Sequence, residues 1–256
     1  MDKSHPRFTE RLEPIQGTEL SYKKTGIPTL EGEFLRTTIQ EHHYTRSLEI
    51  GCALGISSLY ICDALAGIPE ASHTIIDPYQ TTQWQGIGIK NLGNCGFDFF
   101  TLVEKPSELA LPELLQQERT FDFAFIDGWH TFDHTLLDFF YLNRLIRVGG
   151  MIVFDDVRYP AVSKVLRYVA HYPHYTLISD QAALRPEGKK WRLLKWGLLL
   201  GKQVCKLFPA SLRPLIFSPT LRSGHSVHQL VLRQPRWLAL YKTGDDTRPF
   251  DWFQDF

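Results

Sequence analysis

The chain has 256 residues, 43% of them hydrophobic, and its 28 basic and 28 acidic residues give no formal net charge. This length accommodates one α/β domain with additions and can bury a large core. A neutral chain has no overall field that attracts nucleic acid, so we expect no nucleic-acid partner. The polar start and four cysteines without metal-ligand spacing favour free thiols and a cytoplasmic location.

Apolar spacing predicts alternating helices and strands after an irregular arm at residues 1–30. Helices are predicted at 30–43, 56–66, 84–92, 109–118, 132–146 and 161–171. Strands are predicted at 46–51, 73–77, 100–105, 121–127, 149–156, 175–179 and 237–242. Such alternation is typical of βαβ units. We therefore expect an α/β fold with a doubly wound, mostly parallel, seven-stranded Rossmann-like sheet, formed by one domain at 31–256.

The alternation stops at residues 182–235, which we interpret as a basic, helical insertion before the last strand. Between Arg185 and Arg236 there are eleven Lys or Arg residues and one acid, Glu187. Its most apolar part, 191–208, is interrupted by four basic residues and does not suit a membrane-spanning helix. The stretch 189–208 would contact an anionic membrane surface or an anionic substrate. Alternatively, it is a lid over the site or a contact between copies in a homo-oligomer.

A glycine turn follows the first predicted strand in the pattern E-x-G-x-x-x-G, formed by Glu49, Gly51 and Gly55. Gly51 permits a tight turn, Gly55 lets the helix approach, and the helix N-terminus offers N–H groups to a nucleotide. Asp77 ends the next strand, where it could accept hydrogen bonds from a ribose; alternatively, it is a turn aspartate before Pro78. The incomplete G-x-G-x-x-G pattern disfavours a dinucleotide-dependent dehydrogenase.

The motifs E-I-G-x-x-x-G, I-D-P-Y-Q, F-I-D-G-x-H and I-V-F-D-D occur in this order. Together they resemble class I S-adenosylmethionine-dependent methyltransferases. More narrowly, they resemble the metal-dependent O-methyltransferase branch, which includes catechol O-methyltransferase and relatives in antibiotic biosynthesis. The resemblance covers roughly residues 30–180 and the last strand. It implies that the domain at 31–256 is a methyltransferase that uses S-adenosyl-L-methionine.

The motifs and the resemblance place the cofactor against Glu49, Gly51, Gly55, Ser57, Asp77, Ser107, Asp127 and Trp129. Gly51 and Ser57 match positions at the methionine part, and Asp77 matches the acidic ribose ligand. Ser107 matches a serine near the adenine, although it also suits the N-cap of a helix. Trp129 would lie over the cofactor; otherwise it fills the crevice.

Acidic side chains end two neighbouring predicted strands, with Asp127 on one and Asp155 and Asp156 on the other. Adjacent ends of parallel strands line one crevice, and carboxylates held close together need a proton or a cation. Oxygen ligands suit Mg²⁺, and the metal-dependent branch places its cation at matching positions. We therefore expect these three residues to bind a divalent metal; alternatively, the last two cap a helix or pair with Arg158.

His130 lies three residues after Asp127, where catechol O-methyltransferase has a lysine proposed as the general base. Histidine has a suitable pKa for this role, so His130 is the predicted catalytic base. Alternatively, it is a turn histidine or the partner of a carboxylate. The next polar residues, Asp133 and His134, are predicted only to begin a helix capped by Thr131.

The expected function is S-adenosylmethionine-dependent methyl transfer to a hydroxyl of a small molecule, namely a sugar, a diol or a phenol. A divalent metal would lower the pKa of the hydroxyl, and His130 would accept its proton. Two alternatives are a non-catalytic module that binds a nucleotide or S-adenosylmethionine, and an NAD-dependent oxidoreductase.

Overall fold

The computed structural model describes residues 7–14, 21–178 and 236–253. The helices in these residues are α1 Tyr22–Thr25, α2 Thr29–Glu41, α3 Ile56–Leu65, α4 Ile87–Asn94, α5 Ser107–Gln116, α6 Phe132–Leu145 and α7 Pro160–Val169. The strands are β1 Arg46–Ile50, β2 Ser72–Ile76, β3 Phe100–Val103, β4 Phe121–Ile126, β5 Ile146–Phe154, β6 Tyr175–Ile178 and β7 Leu238–Lys242. The predicted insertion at 182–235, with its stretch 189–208, lies outside the described residues.

The strands form one seven-stranded sheet in the order β3-β2-β1-β4-β5-β7-β6. Strands β1 to β5 are parallel to one another, whereas β7 is antiparallel to both β5 and β6. The predicted doubly wound, mostly parallel sheet is therefore confirmed. The strand order reverses between β1 and β4, and sheets of this kind bind ligands at such a reversal.

Both faces of the sheet are covered, which explains the nearly continuous apolar sequence of β4. Its side chains alternate between two apolar layers. Phe123 and Phe125 pack in the layer that includes α2 and α3, whereas Ala124 and Ile126 pack in the layer that includes α5, α6 and α7. The sheet is thus held rigidly from both sides, and its strand ends form a fixed platform.

The central strands end level with one another. Ile50 of β1 pairs with Ile76 of β2 and with Ile126 of β4, which in turn pairs with Phe154 of β5. Because the strands are parallel and in register, the residues that follow them emerge at the same edge of the sheet. This edge is where the candidate site lies.

Two element boundaries differ by three residues from the sequence prediction, whereas the others agree within two. The helix predicted at 84–92 begins only at Ile87, because Gln85 and Gly86 have positive φ angles of 58° and 68°, which helical residues do not adopt. Strand β5 begins three residues earlier than predicted, directly after α6. Gly149, with φ of 83°, lies where the pairing of β4 with β5 shifts register, so the strand continues through what the sequence presents as a turn.

The described part of the N-terminal arm packs against α2 and α3. The guanidinium of Arg7 lies 3.0 Å from a carboxylate oxygen of Glu33 and 3.0 Å from one of Asp63. Phe8 is buried with its ring edge-on to Tyr60. Among the residues that the structure describes, no helix is both long enough and apolar enough to cross a membrane.

Candidate active site

A cavity of about 560 Å³ opens at the carboxyl ends of the central strands. Six of the residues singled out from the sequence line it, namely Gly51, Asp77, Ser107, Asp127, Trp129 and His130. Its remaining walls include Tyr79, Trp84, Pro106, Glu108, Gly128 and His134. The cavity therefore extends from the end of β3, across β2 and β1, to the turn after β4.

The turn after β1 requires glycine at position 51. Gly51 has φ of 88°, and a Cβ atom there would lie 2.1 Å from the carbonyl oxygen of Asp127. Asp77 fixes the same turn, because its Oδ2 accepts hydrogen bonds from the backbone N–H groups of Cys52 and Ala53 at 3.1 and 2.9 Å. Its Oδ1 accepts from the backbone of Tyr79 at 2.8 Å. Asp77 thus acts as a turn aspartate. It also lines the cavity, and its contact with a ribose stays a prediction.

Three predicted cofactor residues lie behind this wall and do not line the cavity, namely Glu49, Gly55 and Ser57. Glu49 is fully buried beside Ser58, which donates a hydrogen bond to it, and its Oε2 lies 3.3 Å from Nε2 of His73. Gly55 permits close packing, since a Cβ atom there would lie 2.7 Å from the carbonyl oxygen of Gly88. The structure does not bring these three residues to the cavity, because β1 and the first turn of α3 lie behind its wall.

His130 lies between two carboxylates at the end of the cavity nearest β5. Its Nε2 is 3.1 Å from Oδ2 of Asp156 and 3.5 Å from Oδ1 of Asp127. Nε2 is buried, and neither contact has the direction of a good hydrogen bond. Tyr159 stacks on the imidazole with ring centroids 4.8 Å apart, which fixes the plane of the ring. We call Asp127, His130 and Asp156 the acidic triad.

The charges of the acidic triad shift the pKa values of its own members. Contacts with Asp127 and Asp156 raise the pKa of His130 to about 10, so the imidazole carries a proton at neutral pH. The contact with His130 lowers the pKa of Asp156, whereas burial raises the pKa of Asp127. As the structure stands, one proton on His130 balances one of the two neighbouring carboxylates. This protonated form cannot serve as a general base.

Asp155 does not join the acidic triad, contrary to the expected set of three aspartates. Its backbone continues β5, and its side chain is completely buried beside Arg236. Nε of Arg236 lies 3.2 Å from Oδ1 of Asp155, and Nη2 lies 3.3 Å from Oδ2. Asp156 instead adopts φ of 50°, which reverses the chain and sends its carboxylate towards His130. The helix-cap alternative is also not observed, since α7 has Tyr159 at its N-cap.

Glu31 was not recognised from the sequence as part of this site. It projects from α2, is 1% exposed, and lies 3.4 Å from Nε of Arg236. Burial, followed by the charge of Asp155, raises the pKa of Glu31 to about 10. Nothing in the sequence around position 31 marks it, because its role depends on how α2 packs against the end of β5.

His134 has a larger role than the sequence indicated. Thr131 caps α6 as predicted, with its hydroxyl accepting from the backbone N–H of His134 at 3.4 Å. The imidazole of His134 nevertheless lines the cavity and stacks against Trp129, with ring centroids 5.4 Å apart. Asp133 remains highly exposed in the first turn of α6, where an acid is favourable. Trp129 and His134 therefore form an aromatic wall of the cavity.

Ser107 occupies the first position of α5, with Pro106 rather than Ser107 at the N-cap. Its hydroxyl lies near the carboxyl group of Asp138, a buried residue of α6, and opposes the rise that burial causes in the pKa of Asp138. Ser107 therefore lines the cavity with a hydroxyl that is close to an acid behind the wall. The sequence offered no sign of Asp138, because Ser107 is thirty-one residues away along the chain.

Comparison with known proteins agrees with this geometry. A family model described as a methyltransferase domain matches residues 48–157, from the middle of β1 to the turn that follows Asp156. Residues 48–157 thus form a methyltransferase domain. The recognition of such a methyltransferase from its motifs is thereby confirmed, and so is the enzyme class.

Solved structures share the fold at low sequence identity. The cofactor-bound Rv0187 protein from MTB is 19% identical, with a TM-score of 0.57 over 70% of this chain and 82% of that one. An O-methyltransferase from Bacillus cereus in complex with SAH is 21% identical, with a TM-score of 0.51 over 60% and 74% of the two chains. TomG from Streptomyces achromogenes, an O-methyltransferase of tomaymycin synthesis in complex with SAM, is 19% identical, with a TM-score of 0.54 over 70% and 82%.

Proposed function

We propose that this methyltransferase domain transfers the methyl group of S-adenosylmethionine to a hydroxyl oxygen of a small molecule. One observation carries the proposal: a single cavity is lined by the Gly51 turn, by Asp77, and by Asp127 and His130 of the acidic triad. The first part offers the features of a nucleoside site, and the second offers groups that can hold a proton or a cation. The similar folds of O-methyltransferases solved with SAM or SAH support the same assignment.

The protein residues would act mainly by alignment. The turn at Gly51 and Ala53 and the wall formed by Trp129 and His134 would hold the cofactor in one orientation. The acceptor hydroxyl would lie beside His130, so that oxygen, methyl carbon and sulfur form a line. Fixed geometry of this kind is the main means by which an enzyme accelerates a transfer between two bound molecules.

We include a divalent cation, Mg²⁺ or a similar ion, in the proposal. Asp127 and Asp156 would hold such an ion, because a carboxylate oxygen of each lies within 4.8 Å of the other and of Nε2 of His130. Nε2 of His130 would stay uncoordinated beside the ion, so that it can accept a proton. When bound there, a cation would supply the positive charge that lowers the pKa of the acceptor hydroxyl. Asp155 is excluded from the proposed ligand set, since Arg236 binds both of its oxygens.

His130 would remain the proton acceptor only in its neutral form. Its pKa is raised by Asp127 and Asp156, so neutralising these carboxylates removes the cause of the shift. The imidazole would then titrate near its ordinary value and could accept the proton of the hydroxyl. A cation bound by Asp127 and Asp156 would therefore also make His130 available as a base.

The test is transfer of a labelled methyl group from S-adenosylmethionine to a panel of sugars, diols and phenols. Transfer should occur with added Mg²⁺ or Mn²⁺, and EDTA should abolish it. His130→Gln should lower the rate at least 100-fold, on the scale of general base catalysis. A matched control is His42→Gln, a histidine at the C-terminal end of α2, remote from the cavity lining.

Two results would contradict the proposal in different ways. If calorimetry detects no binding of S-adenosylmethionine or S-adenosylhomocysteine, the cofactor assignment is wrong. If both bind but no hydroxyl compound in the panel is methylated, a non-catalytic binding module is favoured instead. Transfer that persists in EDTA would support O-methylation and would show that it needs no metal.

A further inference from the structure

The turn between β1 and α3, residues 51–55, contains three residues with positive φ angles. Gly51 and Gly55 adopt φ of 88° and 81° without a steric penalty. Ala53 has φ of 48°, a conformation that is unfavourable for a residue with a Cβ atom. Ala53 also lines the cavity, so its conformation shapes the wall that a ligand contacts. A residue strained in this way persists only when surrounding groups fix it.

Gln80 is one of the groups that fix Ala53. It lies in the loop after β2 and is 1% exposed. Its Nε2 donates one hydrogen bond to the carbonyl oxygen of Ala53 at 2.8 Å and another to Oδ2 of Asp77 at 3.0 Å. The same Oδ2 accepts from the backbone N–H of Ala53 at 2.9 Å. Gln80 and Asp77 together therefore bind both backbone polar groups of Ala53.

The amide nitrogen of Gln80 is the group that this position requires. Both atoms that Nε2 contacts are acceptors, so the side-chain oxygen cannot take its place. That oxygen, Oε1, is buried without a hydrogen-bond partner, which is unfavourable. An apolar side chain of similar length would avoid this cost but would donate nothing to Ala53. Packing alone therefore does not explain a glutamine at position 80.

Asn91 of α4 binds the next carbonyl group of the same turn. Asn91 is completely buried, and its Nδ2 donates to the carbonyl oxygen of Leu54 at 2.8 Å. Its Oδ1 accepts from the backbone N–H of Glu13 at 2.6 Å, so the N-terminal arm orients the amide. Gln80 and Asn91 do not line the cavity. Two buried amides thus fix successive carbonyl groups of the turn from behind the cavity wall.

We propose that Gln80 and Asn91 are positioning residues, which keep the turn at residues 51–55 in the conformation that binds the ligand of the cavity. This inference rests on the proposed function for the identity of that ligand. It does not depend on which part of the ligand contacts the turn. Without the two amides, the turn relaxes away from the strained conformation of Ala53. Binding must then restore that conformation, which lowers the affinity.

Calorimetric titration with S-adenosyl-L-homocysteine measures the effect. Gln80→Met retains the length of the side chain and removes both hydrogen bonds, so it should weaken binding at least about tenfold, the scale of one strained residue. Asn91→Leu should weaken binding at least about threefold, the scale of one hydrogen bond. The matched control is Asn143→Leu, which removes a buried amide that donates to Asp246 at 2.9 Å, outside the cavity lining. It should lower the stability but keep the affinity within about twofold of the wild type.

Glycine at position 53 separates a positioning role of Gln80 from a packing role. Ala53→Gly removes the steric penalty of positive φ, so the turn depends less on its hydrogen bond with Gln80. The effect of Ala53→Gly on affinity should therefore be at least about fivefold more favourable in the Gln80→Met background than in the wild type. If Gln80 served only to fill space, the two effects would be independent.

The outcomes distinguish this inference from the function on which it rests. If the wild type binds S-adenosylhomocysteine and Gln80→Met binds it equally well, the inference is wrong. Weaker binding by Gln80→Met that Ala53→Gly does not improve would show a packing role and overturn the inference as well. If Gln80→Met does not fold, wild-type affinity in Asn91→Leu overturns it. If the wild type does not bind the compound, the proposed function fails and the inference fails with it.

Discussion

Replacing Arg236 by methionine should strongly destabilise the protein. The guanidinium contacts Asp155 at 3.2 Å and Glu31 at 3.4 Å, and the side chains of both acids are almost completely buried. Arg236→Met retains much of the side-chain length and removes the positive charge that contacts both of these acids. Asp155 and Glu31 would then face each other in a region that excludes water.

The magnitude follows from distance and burial. With an effective dielectric constant of about 20, the contact with Asp155 corresponds to roughly 5 kcal/mol of attraction before desolvation is counted. Glu31 adds little to this attraction, because its pKa is raised to about 10 and it holds a proton at neutral pH. Desolvation offsets much of the attraction, and 36% of the Arg236 side chain remains exposed. Breaking a buried ion pair by removing one partner typically costs about 3–5 kcal/mol, and because only Asp155 of these two acids loses a charged partner we expect a loss of about 3 kcal/mol in the free energy of unfolding.

Urea unfolding monitored by circular dichroism at pH 7 measures this loss. Arg7→Met is a matched control, since Arg7 also contacts two carboxylates, both at 3.0 Å, but on the surface. That variant should lose less than about 1 kcal/mol. The double variant Asp155→Asn/Arg236→Met should recover at least about 1 kcal/mol relative to Arg236→Met alone, because it removes the buried charge left without a partner. A loss below about 1 kcal/mol for Arg236→Met would refute the reasoning.

Three further predictions concern other parts of the site. Gly51→Ala should abolish binding of S-adenosylhomocysteine in calorimetry, because its Cβ atom would lie 2.1 Å from a backbone oxygen. The control is Gly67→Ala, which should bind normally, since Gly67 has a similar φ of 79° but no atom within 4 Å of an added Cβ. Burial raises the pKa of Asp138 to about 7, so the folded state binds more protons than the unfolded state from about pH 4 to 7, and stability falls as pH rises. Asp138→Asn should remove this slope. In urea unfolding, its stability advantage over the wild type should therefore grow by about 2–4 kcal/mol between pH 4 and 8. A difference that does not change with pH would contradict the raised pKa of Asp138. Mg²⁺ or Mn²⁺ should raise the melting temperature of the wild type by several degrees but not that of Asp156→Ala, and equal shifts would exclude a cation at the acidic triad.

The architecture of the sheet was accessible from the sequence because it depends on local periodicity. Strand β4 appears as an uninterrupted apolar run, and the helices between strands show apolar spacing that buries one face. The errors are local as well. The start of α4 was misplaced because positive φ at Gln85 cannot be inferred from the residue type, which rarely adopts it.

Part of the candidate site was also accessible from the sequence, because side chains at the ends of parallel strands must share one edge. This reasoning correctly brought Asp127 and Asp156 together with His130. It did not separate Asp155 from Asp156, because adjacent residues take opposite directions only through the backbone angles of the turn. The reversal at Asp156, with φ of 50°, is a property of the folded chain.

By itself, then, the sequence determined the class of fold, the edge of the sheet where the candidate site lies, and the methyltransferase family. Local periodicity and residues at strand ends carry that information. Only the tertiary structure decided which charged groups neutralise each acid, namely Arg236 for Asp155 and His130 for Asp156, and which acid, Asp138, is buried without one. The reason is that burial and charge pairing depend on contacts between segments far apart in the chain, and no spacing along the sequence records them.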